Sequence, residues 1–152
     1  MRAPESYIEW TNAHLGHNPR SQASSNALSD FVVTDLRQAC PEINAAIESK
    51  TLQVIKNPGV MTKVAERSID LVLIEGVTKL VCVSVEHKTI MTAHGKARKN
   101  RYGDIIAYCN HMHNHRKECI AGAIVIVNSS PLYENPDSFA KGILRPKFKM
   151  DW

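Results

Sequence analysis

Apolar positions along the first third of the chain recur at helical spacing. Leu28, Phe31, Val32, Leu36 and Ala39 predict an amphipathic helix over 25–39. Cys40-Pro41 ends it, because proline disfavours helix in the residue before it. A second short helix is predicted over 42–50, and Asn57-Pro58-Gly59 marks a turn. The period then shortens. Ile69 to Glu75 is β-branched and aliphatic, and Leu80 to Lys88 alternates, with Val81, Val83 and Val85 on one face. The short link Gly76-Val77-Thr78-Lys79 makes a hairpin of the two. Ile105, Ile106, Cys109 and Met112, with Tyr102 one turn earlier, predict a helix face within 94–118. Ile120 to Asn128 is apolar enough for a central strand buried on both faces. Residues 1–26 are polar, with Gly16-His17-Asn18-Pro19 and 21–26 reading as loop, and the tail 131–152 looks irregular. The alternation Phe148, Met150, Trp152 suggests a strand at the chain end. The predicted order is helix–strand–strand–helix–strand, an α/β (α+β) arrangement.

Composition narrows the class. The 152 residues are 43% hydrophobic and 22% charged, which fits one globular domain over 1–152 and excludes intrinsic disorder. Seven Gly and seven Pro exclude collagen-like sequence. The longest apolar runs, 71–74 and 121–127, are far short of the roughly 20 residues of a membrane span. No apolar segment follows Met1, and none of the four cysteines is spaced as CxxC. A reduced, cytoplasmic protein is the expectation, with Cys82 a buried thiol in its strand.

Candidate chemistry gathers at one strand end. Asp70 opens the first strand of the hairpin, and Glu86-His87-Lys88 closes the second. Side chains alternate across a strand, so Glu86 and Lys88 share a face, about 6.5–7 Å apart. His87 points to the other. Asp70 joins them only in one register. If Gly76 pairs with Leu80 around a three-residue loop, paired residue numbers add to 156 and Asp70 stands opposite Glu86. A total of 155 puts Asp70 opposite Val85, because a one-residue slip flips the faces. Two carboxylates and a lysine suit a hard divalent cation and a phosphodiester. Mg²⁺ binds through one or two carboxylates plus phosphate. It polarises the phosphoryl oxygen and activates water, while a lysine orients or deprotonates that water.

Asp70, fifteen intervening residues and Glu86-x-Lys88, on a hairpin followed by a helix and a strand, resemble the PD-(D/E)xK nuclease superfamily. The likeness covers roughly 28–128, and is greatest to type II restriction endonucleases. It implies an αββαβ restriction-endonuclease-like core with a central mixed sheet flanked by helices. It implies that Asp70 and Glu86 hold Mg²⁺, with Mn²⁺ as a substitute, and that Lys88 serves the nucleophilic water. The segment His94 to Asp104 is similar to the stretch after the catalytic lysine in some restriction enzymes. That similarity makes Lys96, Arg98, Lys99 and Arg101 phosphate contacts and puts Asn100 close to the site. Two positions depart from the pattern. Ile69 stands where a proline is usual. Ser29 stands where many members carry a first-helix glutamate, with Asp30 beside it. Asp30, or a more distant acid such as Glu48, is the candidate to complete the metal site. The implied partners are DNA and a second copy of the chain, since two-fold symmetry suits cutting both strands. A partner methyltransferase is not visible in the sequence.

Charge supports the same place. The net charge of +4 is mild, but residues 86–118 hold seven Lys and Arg against three acids, an excess equal to the whole net charge. Such a surface tracks phosphates. The ordinary alternative is a solvated helix face beside a solvated Glu/Lys pair. His111, His113 and His115 cannot all bind one ion from a helix, because residues two apart face different ways. His111 and His115 with Cys119 make a minor zinc alternative. The remaining alternatives are a structure-selective nuclease of Holliday-junction or repair type, and a DNA-binding module of the same fold without activity.

Overall fold

The computed structural model describes residues 2–14, 21–90 and 94–127, the side chains of 94–96 excepted. In chain order the elements are α1 (Ala3–Ala13), α2 (Gln22–Ala39), α3 (Pro41–Glu48), β1 (Leu52–Lys56), β2 (Gly59–Met61), β3 (Glu66–Ser68), β4 (Leu71–Glu75), β5 (Val81–Ile90), α4 (His94–His115) and β6 (Ile120–Val127). A four-stranded mixed sheet has the order β1-β4-β5-β6, and β2 and β3 form a separate two-stranded ribbon. β1, β4 and β5 are antiparallel neighbours, whereas β5 and β6 run parallel and are joined through α4. A parallel pair needs such a crossover. Helix, strand, strand, helix and strand thus follow in the predicted order, with β1 to β3 inserted after the first helices.

The sheet separates two cores. On one face Val72, Ile74 and Val81 pack with Tyr108 and Met112 of α4 and with Cys119. On the other, Leu71, Leu73 and Val85 pack with Leu28 and Val32 of α2 and Tyr7 of α1. Alternation assigns the residues of β4 and of β5 from Val83 onward to their sides, whereas Val81, expected on one face with Val83 and Val85, lies in the opposite core because an irregularity in β5 intervenes.

Several expectations are corrected. The polar N-terminal segment forms an unpredicted helix, α1, with the Glu5 carboxylate accepting the Arg2 N–H (3.0 Å) and Asp35 of α2 accepting the Ala3 N–H (2.6 Å). α2 begins at Gln22, capped by Ser21, whose hydroxyl accepts the Ser24 N–H. Its first turns read as loop because they are serine-rich, yet Ser24 is buried against Tyr7 and Ser29 is fully buried. The apolar face of α4 is rotated from the predicted one: Tyr108 and Met112 are wholly buried, whereas Tyr102 is 69% and Ile106 45% exposed. Among the described residues β6 is an edge strand rather than a central one, with Val125 and Val127 partly exposed. Cys82 is only half-buried; Cys119 is the buried thiol. The segment 16–19, the Lys96 side chain and the tail 131–152 with its Phe148–Trp152 alternation lie outside the described residues.

The hairpin register is the point that matters for the site. Glu75 N–H donates to the Leu80 carbonyl (2.9 Å), so the loop has four residues, not three, with Lys79 at φ 59°. Paired numbers near this turn add to 155, as in Ile74 with Val81. Cys82 is then an extra residue on β5, and beyond this bulge Leu73 pairs with Val83 and Leu71 with Val85. The total there is 156. The register proposed for Asp70 and Glu86 is reached by a bulge instead of by the loop.

Candidate active site

Asp70 sits in the bend just before β4, fixed by its backbone and its side chain. Its carbonyl accepts the Asn57 N–H (3.0 Å) and the Ser29 hydroxyl (3.4 Å). Its carboxylate accepts the Ser25 hydroxyl on Oδ1 (2.7 Å) and the His87 N–H on Oδ2 (2.7 Å). Ile69, immediately before it, is fully buried, so an apolar anchor stands where the resemblance has proline.

Glu86 is 4% exposed. Its Oε1 accepts from Lys88 Nζ and lies 3.5 Å from Arg67 Nη2 of β3. Its Oε2 is buried without a protein partner. Arg67 in turn lies over the Tyr108 ring, 5.6 Å from its centroid. The Tyr108 hydroxyl donates to Ser84 (2.6 Å). Burial pushes the Tyr108 phenol well above its ordinary pKa; the bond to Ser84 opposes this and the Glu86 charge adds to it.

The two carboxylates therefore have separate partners. Asp70 is drawn toward α2, on the Leu71 and Val85 side of the sheet. Glu86 follows the alternation to the Ser84 and Tyr108 side. Facing register does not bring both side chains onto one face, because Asp70 precedes the first pair of the ladder. Glu86 and Lys88 do meet, as the alternation predicts. Among the described residues, no three His, Cys, Asp or Glu side chains gather as a metal cluster, and His111, His115 and Cys119 form none.

A cavity of about 270 Å³ opens beside Asp70, with Tyr7, Ser25, His87, Lys88 and Arg101 in its wall. His87 points into this α2 side, opposite to Glu86, and its Nδ1 is 3.2 Å from Ser25 Oγ. Burial pushes the imidazole below its ordinary pKa; the Asp70 charge acts the other way and Lys88 adds to the lowering. Arg101 joins the wall from α4 and pairs with Asp104 (2.7 Å). Arg98, Lys99 and Asn100 are exposed on the turn before it.

No protein-family model, curated protein or solved structure matches the chain.

The other acids do not join the site. Asp30 turns outward onto Lys56 (2.8 Å) and is 63% exposed, so it is not the additional acid. Glu48 pairs with Arg37 at the surface (3.3 Å). The helix residues that reach Asp70 are instead Ser25 and Ser29. Neither these contacts nor Arg67 were expected: two serines in a serine-rich run and a lone arginine in a three-residue strand carry no pattern in sequence.

Proposed function

We propose that the chain is a Mg²⁺-dependent DNA endonuclease of the PD-(D/E)xK type, most like a restriction endonuclease, acting in the cytoplasm as a homodimer. The observation that carries this reading is the buried Glu86, with one oxygen on Lys88 and the other without a protein partner, at the strand end that Asp70 opens. A buried carboxylate oxygen left unpaired is costly, and a hard cation satisfies it. On this reading the free Glu86 oxygen is one ligand for Mg²⁺, and Asp70, whose carboxylate Ser25 and His87 hold on the α2 side, has to turn from them to serve as the second. When bound, the ion polarises a phosphoryl oxygen and lowers the pKa of water. Lys88, tethered to Glu86, keeps further N–H donors to orient an attacking water, and the phosphodiester is broken in line without a covalent enzyme intermediate. Arg98, Lys99 and Arg101, with Lys96 and Asn100, contact the DNA backbone.

Supercoiled plasmid incubated with Mg²⁺ or Mn²⁺ tests the reading. Nicked and linear products are expected, abolished by chelation and lowered at least about 100-fold in Lys88→Ala. An unchanged plasmid, with Lys88→Ala binding DNA as the parent does, sinks the enzyme reading. One observation favours a binding module of the same fold: Arg67 and Lys88 already neutralise Glu86. That same result would support it.

A further inference from the structure

The cavity beside Asp70 lies between α2 and the sheet. Thr89 and Ile126, paired across β5 and β6, and Leu28 of α2 line it with uncharged surface. Its charged groups already have partners. Lys88 is drawn to Glu86, Arg101 to Asp104, and Asp70 accepts from Ser25 and from the His87 N–H. Two cations against one carboxylate do not suit a metal ion. With both cations on acids, the wall has no surplus positive charge for a free phosphate either. What remains is neutral hydrogen-bonding capacity. A carboxylate offers about four acceptor positions, and Asp70 uses only part of them. Arg101 Nε is buried without a protein partner and can only donate. His87 Nε2 also lacks a protein partner. The single Ser25 hydrogen goes to Asp70, so the ring hydrogen sits on Nδ1, 3.2 Å from Ser25 Oγ, and Nε2 accepts. A guest with N–H groups for Asp70 and His87 and a carbonyl for Arg101 would complete all three. The volume of about 270 Å³ suits one planar heterocycle rather than a larger ligand.

We propose that this cavity holds a single nucleobase swung out of the DNA stack, one that carries both an amino group and a carbonyl: cytosine or guanine. Asp70 accepts from the amino group, as carboxylates do from the cytosine amino group in groove readout, and Arg101 donates to the carbonyl. Adenine lacks the carbonyl and thymine lacks the amino group. The proposal rests on the reading above for DNA as the partner, and on Asp70 where Ser25 and His87 hold it. Arg98 and Lys99, exposed on the turn of α4 before Arg101, are the backbone contacts nearest in sequence to the cavity. Unstacking a base costs least where it has no pairing partner, which sets the choice of probe.

Four fluorescent duplexes, each presenting one natural base opposite an abasic site, test this by anisotropy without divalent metal. Those presenting cytosine or guanine should bind about tenfold more tightly than those presenting adenine or thymine. Preference for one of the two alone also supports the proposal and names the base. Thr89→Phe, which fills the cavity from β5, should erase the preference and leave the affinity common to all four. Ile126→Phe fills it from β6, should the first variant fail to fold. Equal binding of the four duplexes overturns the inference, and so does a preference that survives the filled cavity. If plasmid stays uncut while the preference appears in the parent and vanishes in Thr89→Phe, the nuclease reading falls and the cavity stands as the base pocket of a binding module. If plasmid is cut and the four duplexes bind alike, that reading stands and the inference falls. Binding to none of the duplexes overturns both.

Discussion

Arg67 Nη2 lies 3.5 Å from Glu86 Oε1, and the two come from different sheets. The ribbon of β2 and β3 thus delivers a cation to a carboxylate that the main sheet buries. Arg67→Met keeps much of the stem over Tyr108 and removes the charge. Stability should fall by about 1–3 kcal/mol, the cost of leaving a buried charged group short of a partner. Adding Glu86→Gln should recover part of that loss. Urea unfolding of the two single variants and the double variant measures the coupling.

The exposed basic turn of α4 makes a separate prediction. If Arg98 and Lys99 contact phosphates, replacing both by alanine should reduce the slope of log affinity against log salt by about 1.8, or 0.9 per contact. Fluorescence anisotropy on duplexes of unrelated sequence should show the same loss on each. An unchanged slope would remove these two residues from the interface.

Tyr108 gives the pH dependence. Its folded pKa is raised above the ordinary value of 10.0, so between the two values the folded state holds a proton the unfolded chain releases. Stability is therefore fully present below about pH 10 and falls as pH climbs toward the folded value. Absorbance at 295 nm should show Tyr108 titrating only as the protein unfolds. Tyr108→Phe should flatten the alkaline fall in urea midpoint.

The bulge at Cys82 can be tested by deletion. Removing this residue makes Val83 follow Val81 directly, so Ile74 with Val81 and Leu73 with Val83 become consecutive pairs of a regular ladder and the side chains from Val83 to Ile90 keep their faces; inserting one residue after Val83 instead turns those beyond it to the opposite face. Deletion of Cys82 should cost about 1 kcal/mol, whereas an alanine inserted after Val83 should cost on the order of 4 kcal/mol or more. Circular dichroism melts distinguish them.

These cases also show what the sequence made legible. Periodicity revealed the hairpin, the crossover helix and the last strand, because Val83, Val85 and Leu28, Val32, Leu36 repeat at the spacing of their elements; Val81, expected with them, is turned to the opposite core by the bulge. β1 escaped: its five residues have no alternation in burial. α1 escaped because its apolar face is little more than Ala3, Tyr7 and Trp10. The register total of 156 was legible, but its cause was not, since a bulge leaves no mark in sequence as clear as a glycine turn. Glu86 beside Lys88 followed from alternation alone. The contacts of Asp70 did not, because a residue outside the ladder answers to its local backbone and to whichever helix lies near.

The sheet's two cores give the site an asymmetry of supply. Asp70 depends on the α2 layer, and Glu86 on the layer of Tyr108 and Met112. Loosening one layer should disturb one carboxylate and spare the other. Leu28→Ala and Met112→Ala, though both remote from any reacting atom, would be distinct lesions: the first freeing the acid that opens β4, the second the acid held against Lys88. Heat-sensitive variants of this protein should therefore fall into two classes, told apart by which half of the site fails first.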